Sequence, residues 1–170
     1  MILGMSLSTF VTVHVIISLI GIVAGIIVMF GLLGSNRMPG LTAIFLLFTI
    51  LTSATGFLIP PLVSEKLLPS HMVGALSLVL LAIACIALYG MKLSGTWRWV
   101  YVVTALLSLY FNVFVLVIQG FLKVPALHAL APGEPPGGPV FAVVQLIVLV
   151  FFVIAIIGAV RRFRPMPAFA

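Results

Sequence analysis

Six side chains hold most of the reactive chemistry open to this sequence: His14, His71, His128, Glu65, Glu134 and Cys85. They are its only histidines, acids and cysteine. A single cysteine excludes an internal disulfide, a Cys-x-x-Cys redox pair and a Cys-ligated zinc or iron–sulfur centre within one chain. Two glutamates are too few for a carboxylate metal site or an acidic proton relay. There is also no Gly-rich phosphate loop, His-Glu-x-x-His helix or Ser/His/Asp constellation. That leaves the imidazoles, which can ligate haem iron or another metal and can hydrogen-bond to a small ligand. His14 and His71 form the best pair for axial ligation of a b-type haem. His14, Gln119 or Gln145 could bond to the carbonyl oxygens of a quinone. A metal site built from His14, His71 and His128 ranks last, because His14 lies deep in an apolar run and His128 in a loop.

The elements that must carry these residues are dictated by composition. Of 170 residues, 64% are apolar and 6% charged, against roughly 25% charged in a soluble domain. So few polar groups cannot coat a globule in water, and the chain belongs in a lipid bilayer. A spanning helix needs about 20 predominantly apolar residues. Five stretches qualify: Leu7–Leu33, Leu41–Ile59, Met72–Met91, Trp99–Leu122 and Val140–Val160. Their continuous apolar character, without alternation, excludes a transmembrane β-barrel. Breaks rich in Gly and Pro separate them, at Gly34–Gly40, Pro60–Pro69 and Pro132–Pro139. The sequence therefore predicts an all-α, five-helix membrane bundle forming one integral domain over residues 1–170. Residues 1–36 lack Lys and Arg, and the first apolar run exceeds the 7–15 residues of a signal-peptide core. It reads as a permanent first helix.

Five crossings put the termini on opposite sides. Arg37, Lys92, Arg98, Arg161, Arg162 and Arg164 share the C-terminal side, whereas Lys66 and Lys123 share the other with both glutamates. The positive-inside rule then predicts a cytoplasmic C-terminus and an outside N-terminus. Trp97, Trp99 and Tyr101 would anchor the inner interface. The net charge of +6 is scattered, so it reports threading and not nucleic-acid binding.

In that orientation the polar residues collect in the outer half. His14 lies roughly 10 Å below the outer end of the first helix, and Asn112 lies near mid-membrane. His71, Gln119, Gln145 and Lys123 sit near the outer boundary, where Ser70 would cap the third helix. The depth difference between His14 and His71, about 10 Å, disfavours a shared haem. Helical projection adds stripes of small and polar residues. His14, Ser18, Gly21 and Gly25 fall within about 60°, and Thr49, Thr52, Ser53 and Gly56 within about 100°. Tyr101, Thr104, Ser108, Asn112 and Gln119 share about 80°. The last helix carries Gln145, Ala155 and Ala159 on a weaker strip. These faces should turn inward, with Ser18, Gly21, Gly25, Ser53, Gly56 and Ser108 packing helices and polar groups bonding between them. His128, within Pro125–Ala131, should ride a short interfacial turn.

Several segments resemble a family of small uncharacterised bacterial inner-membrane proteins. They are His14 to Gly25, Thr52-Ser-Ala-Thr-Gly-Phe57, Trp97-Arg-Trp-Val-Tyr101, Leu109 to Gln119 and Phe121 to Leu127. The resemblance spans most of the chain and implies a multi-pass protein of the bacterial inner membrane, but brings no activity with it. Two features depart from the family's pattern: Gly-Gly-Pro follows Glu134-Pro-Pro, and His128 stands where lysine is expected. The expected role is a non-enzymatic accessory or partner-binding subunit, associating with other membrane subunits through an outward-facing polar pocket. The alternative is a haem- or quinone-associated electron-transfer protein using His14. Reporter fusions test the threading: a fusion after Ala170 should match one at Gly34–Asn36 and read cytoplasmic, and one within Gly133–Gly138 should read external. The reverse pattern would overturn the orientation.

Overall fold

Ser6 opens the first helix, its hydroxyl accepting from the Thr9 N–H at 3.2 Å and so satisfying a donor that the helix leaves free. A computed structural model describes residues 2–59 and 69–165, without the side chains of Pro69 and Ser70. Among them run α1 (Leu7–Leu33), α2 (Pro39–Gly56), α3 (Pro69–Cys85, extended by a π-helical turn over Ile86–Gly90), α4 (Trp97–Lys123), the short α5 (Pro125–His128) and α6 (Pro139–Arg162). The protein is an all-α bundle. Five of its helices are long and apolar enough to cross a membrane, α3 counting together with its π turn, and the short α5 carries His128 as expected.

The expected span boundaries shift for local reasons. The second helix starts at Pro39, not Leu41, and stops at Gly56, not Ile59, because proline's fixed φ suits a first helical position. Pro139 acts in the same way for α6, which continues to Arg162. The fourth helix takes in both tryptophans at its start. It ends at Val124, held extended (φ −94°, ψ 113°) ahead of Pro125. The third begins at Pro69, so Ser70, expected as its cap, lies inside it. Glu65 and Lys66 fall outside the described residues.

The spans pack in a ring, α1–α2–α3–α4–α6, with α4 also reaching α1 and α2, so that it touches all four others. Gly25 makes this nesting possible. A Cβ there would lie 2.6 Å from Leu109 Cδ1 on α4 and 2.8 Å from Phe45 Cδ2 on α2. Three helices meet at that point because one of them has no side chain. Gly21, one turn earlier, brings α1 to 3.3 Å from the Thr49 amide by the same measure.

The packing is lopsided along the helix axes. The main cluster of buried apolar residues runs from Ala24 to Leu32 in α1, through Phe45 and Leu46 in α2, Leu81 to Ala87 in α3, Tyr101 to Leu109 in α4 and Phe152 to Ala159 in α6. All of it lies toward the face where α6 ends, the C-terminal face. Toward the opposite, N-terminal face, no residue is buried from Val11 to Ile20 in α1 or from Tyr110 to Gly120 in α4. At the C-terminal face Tyr101, 1% exposed, shares a hydrogen bond with Thr42 and sits 6.3 Å from the Phe163 ring. Arg98 Nη1 donates to the Phe163 carbonyl, and the Arg164 N–H donates to Ser35 Oγ at 2.9 Å.

Gly25→Val should lower the midpoint of thermal unfolding in detergent by an amount equivalent to about 1–3 kcal/mol, the usual cost of overpacking. Gly40→Ala, where a Cβ meets nothing within 4 Å, should cause no loss. Equal shifts in the two variants would refute the three-helix contact.

Candidate functional site

The polar half is organised first by His14. Its Nδ1 lies 2.7 Å from Thr55 Oγ1 on α2. The Thr55 hydroxyl donates to the Leu51 carbonyl at 2.6 Å, so its oxygen is the acceptor and His14 Nδ1 carries the hydrogen. In the neutral ring Nε2 is then a lone-pair acceptor. Ser18 Oγ donates to the His14 carbonyl at 2.8 Å. A Cβ on Gly56 would stand 3.7 Å from His14 Cε1, which is ordinary contact, so Gly56 gives room beside the ring without forcing a close approach.

The contact of Gly25 with Leu109 sets the register of α1 against the antiparallel α4. Eleven residues from Gly25, or about 16 Å, bring His14 level with the end of α4. Lys123 is there, in the last turn of α4. Gln119, half-buried, lies one helical turn from Lys123.

Deeper in the same half, two carboxamides are incompletely satisfied. Gln145 on α6 is buried and donates through Nε2 to the Phe114 carbonyl of α4 at 3.1 Å. Its Oε1 and the Nδ2 of Asn112 are buried without a hydrogen-bond partner. A buried polar atom left unpaired costs about 1–3 kcal/mol. One orphan is an acceptor and the other a donor.

His71 is elsewhere. Its ring stacks on Phe57, centroids 5.7 Å apart and planes at 22°, on the face of α2 that packs against α3. His14 meets α2 on the face turned to α1, and α1 and α3 do not touch among the described residues. The last turn of α2 therefore stands between the two imidazoles, so the arrangement does not fit one haem bound by both. His128 Nδ1 donates to the Phe121 carbonyl at 3.2 Å, which ties α5 back onto α4. Among the described residues no group of three or more His, Cys, Asp or Glu could hold a metal.

The expected stripes turn inward: Thr49, Thr52, Thr104, Ser108 and Gln145 are buried. Their hydroxyls, however, do not join helices as expected. Thr49, Thr52, Thr104 and Ser108 donate to carbonyls one turn back on their own helix, at 2.7, 2.8, 2.8 and 2.9 Å. In hydrocarbon that is the nearest acceptor, and it leaves the helix surface smooth. Ser53 is half-buried, its carbonyl oxygen 3.8 Å from the Cβ position of Gly74 on α3. Two site residues escape sequence reasoning. Thr55 projects about 60° outside the α2 stripe, and Phe57 looks like any apolar residue in a span. The run Thr52-Ser-Ala-Thr55 was the one signal for the former.

Fold and site together define a multi-pass helical membrane protein with a firm half and a polar half. Comparisons with protein-family models, curated proteins and solved structures return no match to this chain.

A double-mutant cycle of His14→Ala and Thr55→Val, read by thermal unfolding in detergent, should give a coupling of about 0.6–2 kcal/mol. A coupling of zero would remove the hydrogen bond as an organising contact.

Proposed function

We propose that this chain is a non-enzymatic accessory subunit of the bacterial inner membrane that binds a membrane partner through its N-terminal-face half. The N-terminus lies outside and the C-terminus in the cytoplasm, so the polar half opens outward. The observation that carries this reading is the pair of unpaired buried atoms, Asn112 Nδ2 and Gln145 Oε1, in the half of the bundle where the apolar core gives out. In hydrocarbon such atoms gain a partner only from protein or from a bound ligand. Polar side chains on a neighbouring subunit's helix would supply the missing acceptor and donor.

A second reading, a quinone-associated electron-transfer protein, draws on His14 Nε2. Held as an acceptor by the Thr55 bond, it suits the hydroxyl of a reduced quinol. The haem version gains no such support, with α2 between its two ligands.

Photo-crosslinking residues at Leu116 and Leu146, both exposed on the polar half, should give one discrete protein adduct in native membranes. The same group at Ile157, exposed on the firm half, should not. Combining Asn112→Leu with Gln145→Leu should weaken the adduct. Crosslinks that ignore this division would defeat the partner reading. A Soret band in the purified protein, lost in His14→Ala, would move the assignment to haem chemistry.

A further inference from the structure

The seam between α1 and α6 runs from the C-terminal face along the firm half as far as Val113 of α4. On α6, Ile147, Phe151, Ile154, Gly158 and Arg162 recur at steps of three or four residues and so form one stripe. On α1, Ile26, Phe30 and Leu33 form the facing stripe. Two apolar cavities of about 310 and 350 Å³ open along this seam, and Phe151 lines both. The helices are pinned at the C-terminal end, where a Cβ on Gly158 would lie 2.9 Å from Leu33 Cδ2. Phe30 and Phe151 are 58% and 48% exposed beside the groove.

One residue in this lining is charged. Arg162 closes the first cavity at the C-terminal face. Arg161 and Arg164 are next to it in sequence, and the Arg164–Ser35 bond draws the loop carrying Arg37 to the same corner. Of the two acids in the sequence, Glu134 precedes α6 at the opposite face and Glu65 lies outside the described residues. Arg98 finds the Phe163 carbonyl, but the Arg162 side chain is exposed above an apolar channel. From Arg162 to Phe151 is eleven residues, about 16 Å, close to the roughly 15 Å depth of one leaflet of hydrocarbon.

We infer that the α1–α6 seam is a binding site for an anionic phospholipid, with one acyl chain in the groove past Phe151 and the phosphate on Arg162. Basic pockets between membrane helices bind anionic headgroups in this way. The groove supplies the length, and the exposed guanidinium supplies the charge. Its forked donors suit a phosphate's oxygens.

Native mass spectrometry of the purified full chain, titrated with phosphatidylglycerol or with phosphatidylcholine of the same acyl chains, tests this. The intact protein should take up one phosphatidylglycerol about fivefold more tightly than phosphatidylcholine, the gain expected from one basic side chain at an anionic headgroup. Arg162→Gln should abolish that preference and Arg161→Gln should keep it. Ile154→Trp, at a position 65% exposed and so tolerant of size, should weaken both lipids by filling the groove. Equal binding of the two lipids by the intact protein would overturn the site. So would equal losses from the two arginine variants, which would indicate diffuse surface charge, or displacement of the lipid by millimolar inorganic phosphate, which would indicate a headgroup contact without the groove.

Discussion

Inside hydrocarbon an apolar side chain gains almost nothing by exchanging lipid for another helix, so a membrane bundle is held by closeness of contact more than by exclusion of water. In this protein the closeness starts at Gly25. The bare backbone there lets Leu109 of α4 and Phe45 of α2 press against α1 at one level. That level fixes the register of all three helices, and Tyr101, Thr42, Arg98 and Phe163 complete the packing below it. Arg98 also satisfies a carbonyl that α6 leaves free at its end, so the first turn of one helix caps the last turn of another.

Above Gly25 the same bundle is assembled differently. Its helices continue to the N-terminal face, but from Val11 to Ile20 in α1 and from Tyr110 to Gly120 in α4 none of their residues is fully buried, and His14, Asn112 and Gln119 stand among them. Side-chain hydrogen bonds that bridge helices there include His14 to Thr55 and Gln145 to the Phe114 carbonyl. Each depends on the register set below: if α1 moved one turn along α2, His14 would lose Thr55, and the tautomer that leaves Nε2 as an acceptor would no longer be enforced. The firm half thus acts as a base for the polar half. On the proposed reading this division is functional, because a surface meant to receive a partner must not close on itself.

Much of this organisation is legible in the residues. The first helix runs over Leu7–Leu33 as its apolar run predicts, and the spacing of Gly21 and Gly25 marks the face that α2 and α4 occupy. The inward stripes are legible too, since a period of 3.6 brings Thr104 and Ser108 to the side that Tyr101 already occupies. What the stripes cannot carry is partnership. A threonine in hydrocarbon donates its hydroxyl hydrogen within its own helix, as Thr55 does to Leu51, and only the three-dimensional register shows that its oxygen also has a donor in reach, His14 Nδ1. The stack of Phe57 on His71 is hidden for a similar reason: an aromatic residue in a span gives no sign of facing lipid or an imidazole. The π turn at Ile86–Gly90 has no mark in the sequence either. It widens the end of α3 just before the chain turns through Lys92 and Leu93, both at positive φ, and so adapts the helix to a turn that the backbone geometry demands.

The distribution of charge ties the two halves together. A chain with eight basic residues and two acids cannot pair all its cations with its own acidic side chains. Most of them must therefore find another acceptor. Backbone carbonyls at helix ends are one source, and Arg98 uses it. Water and lipid headgroups are the others, and Arg162 is positioned for the second because it lines an apolar groove that continues past Ile154 and Phe151. The same excess of arginine that sets the predicted threading would then also select the lipid at the seam, so that orientation and lipid contact follow from a single feature of the sequence.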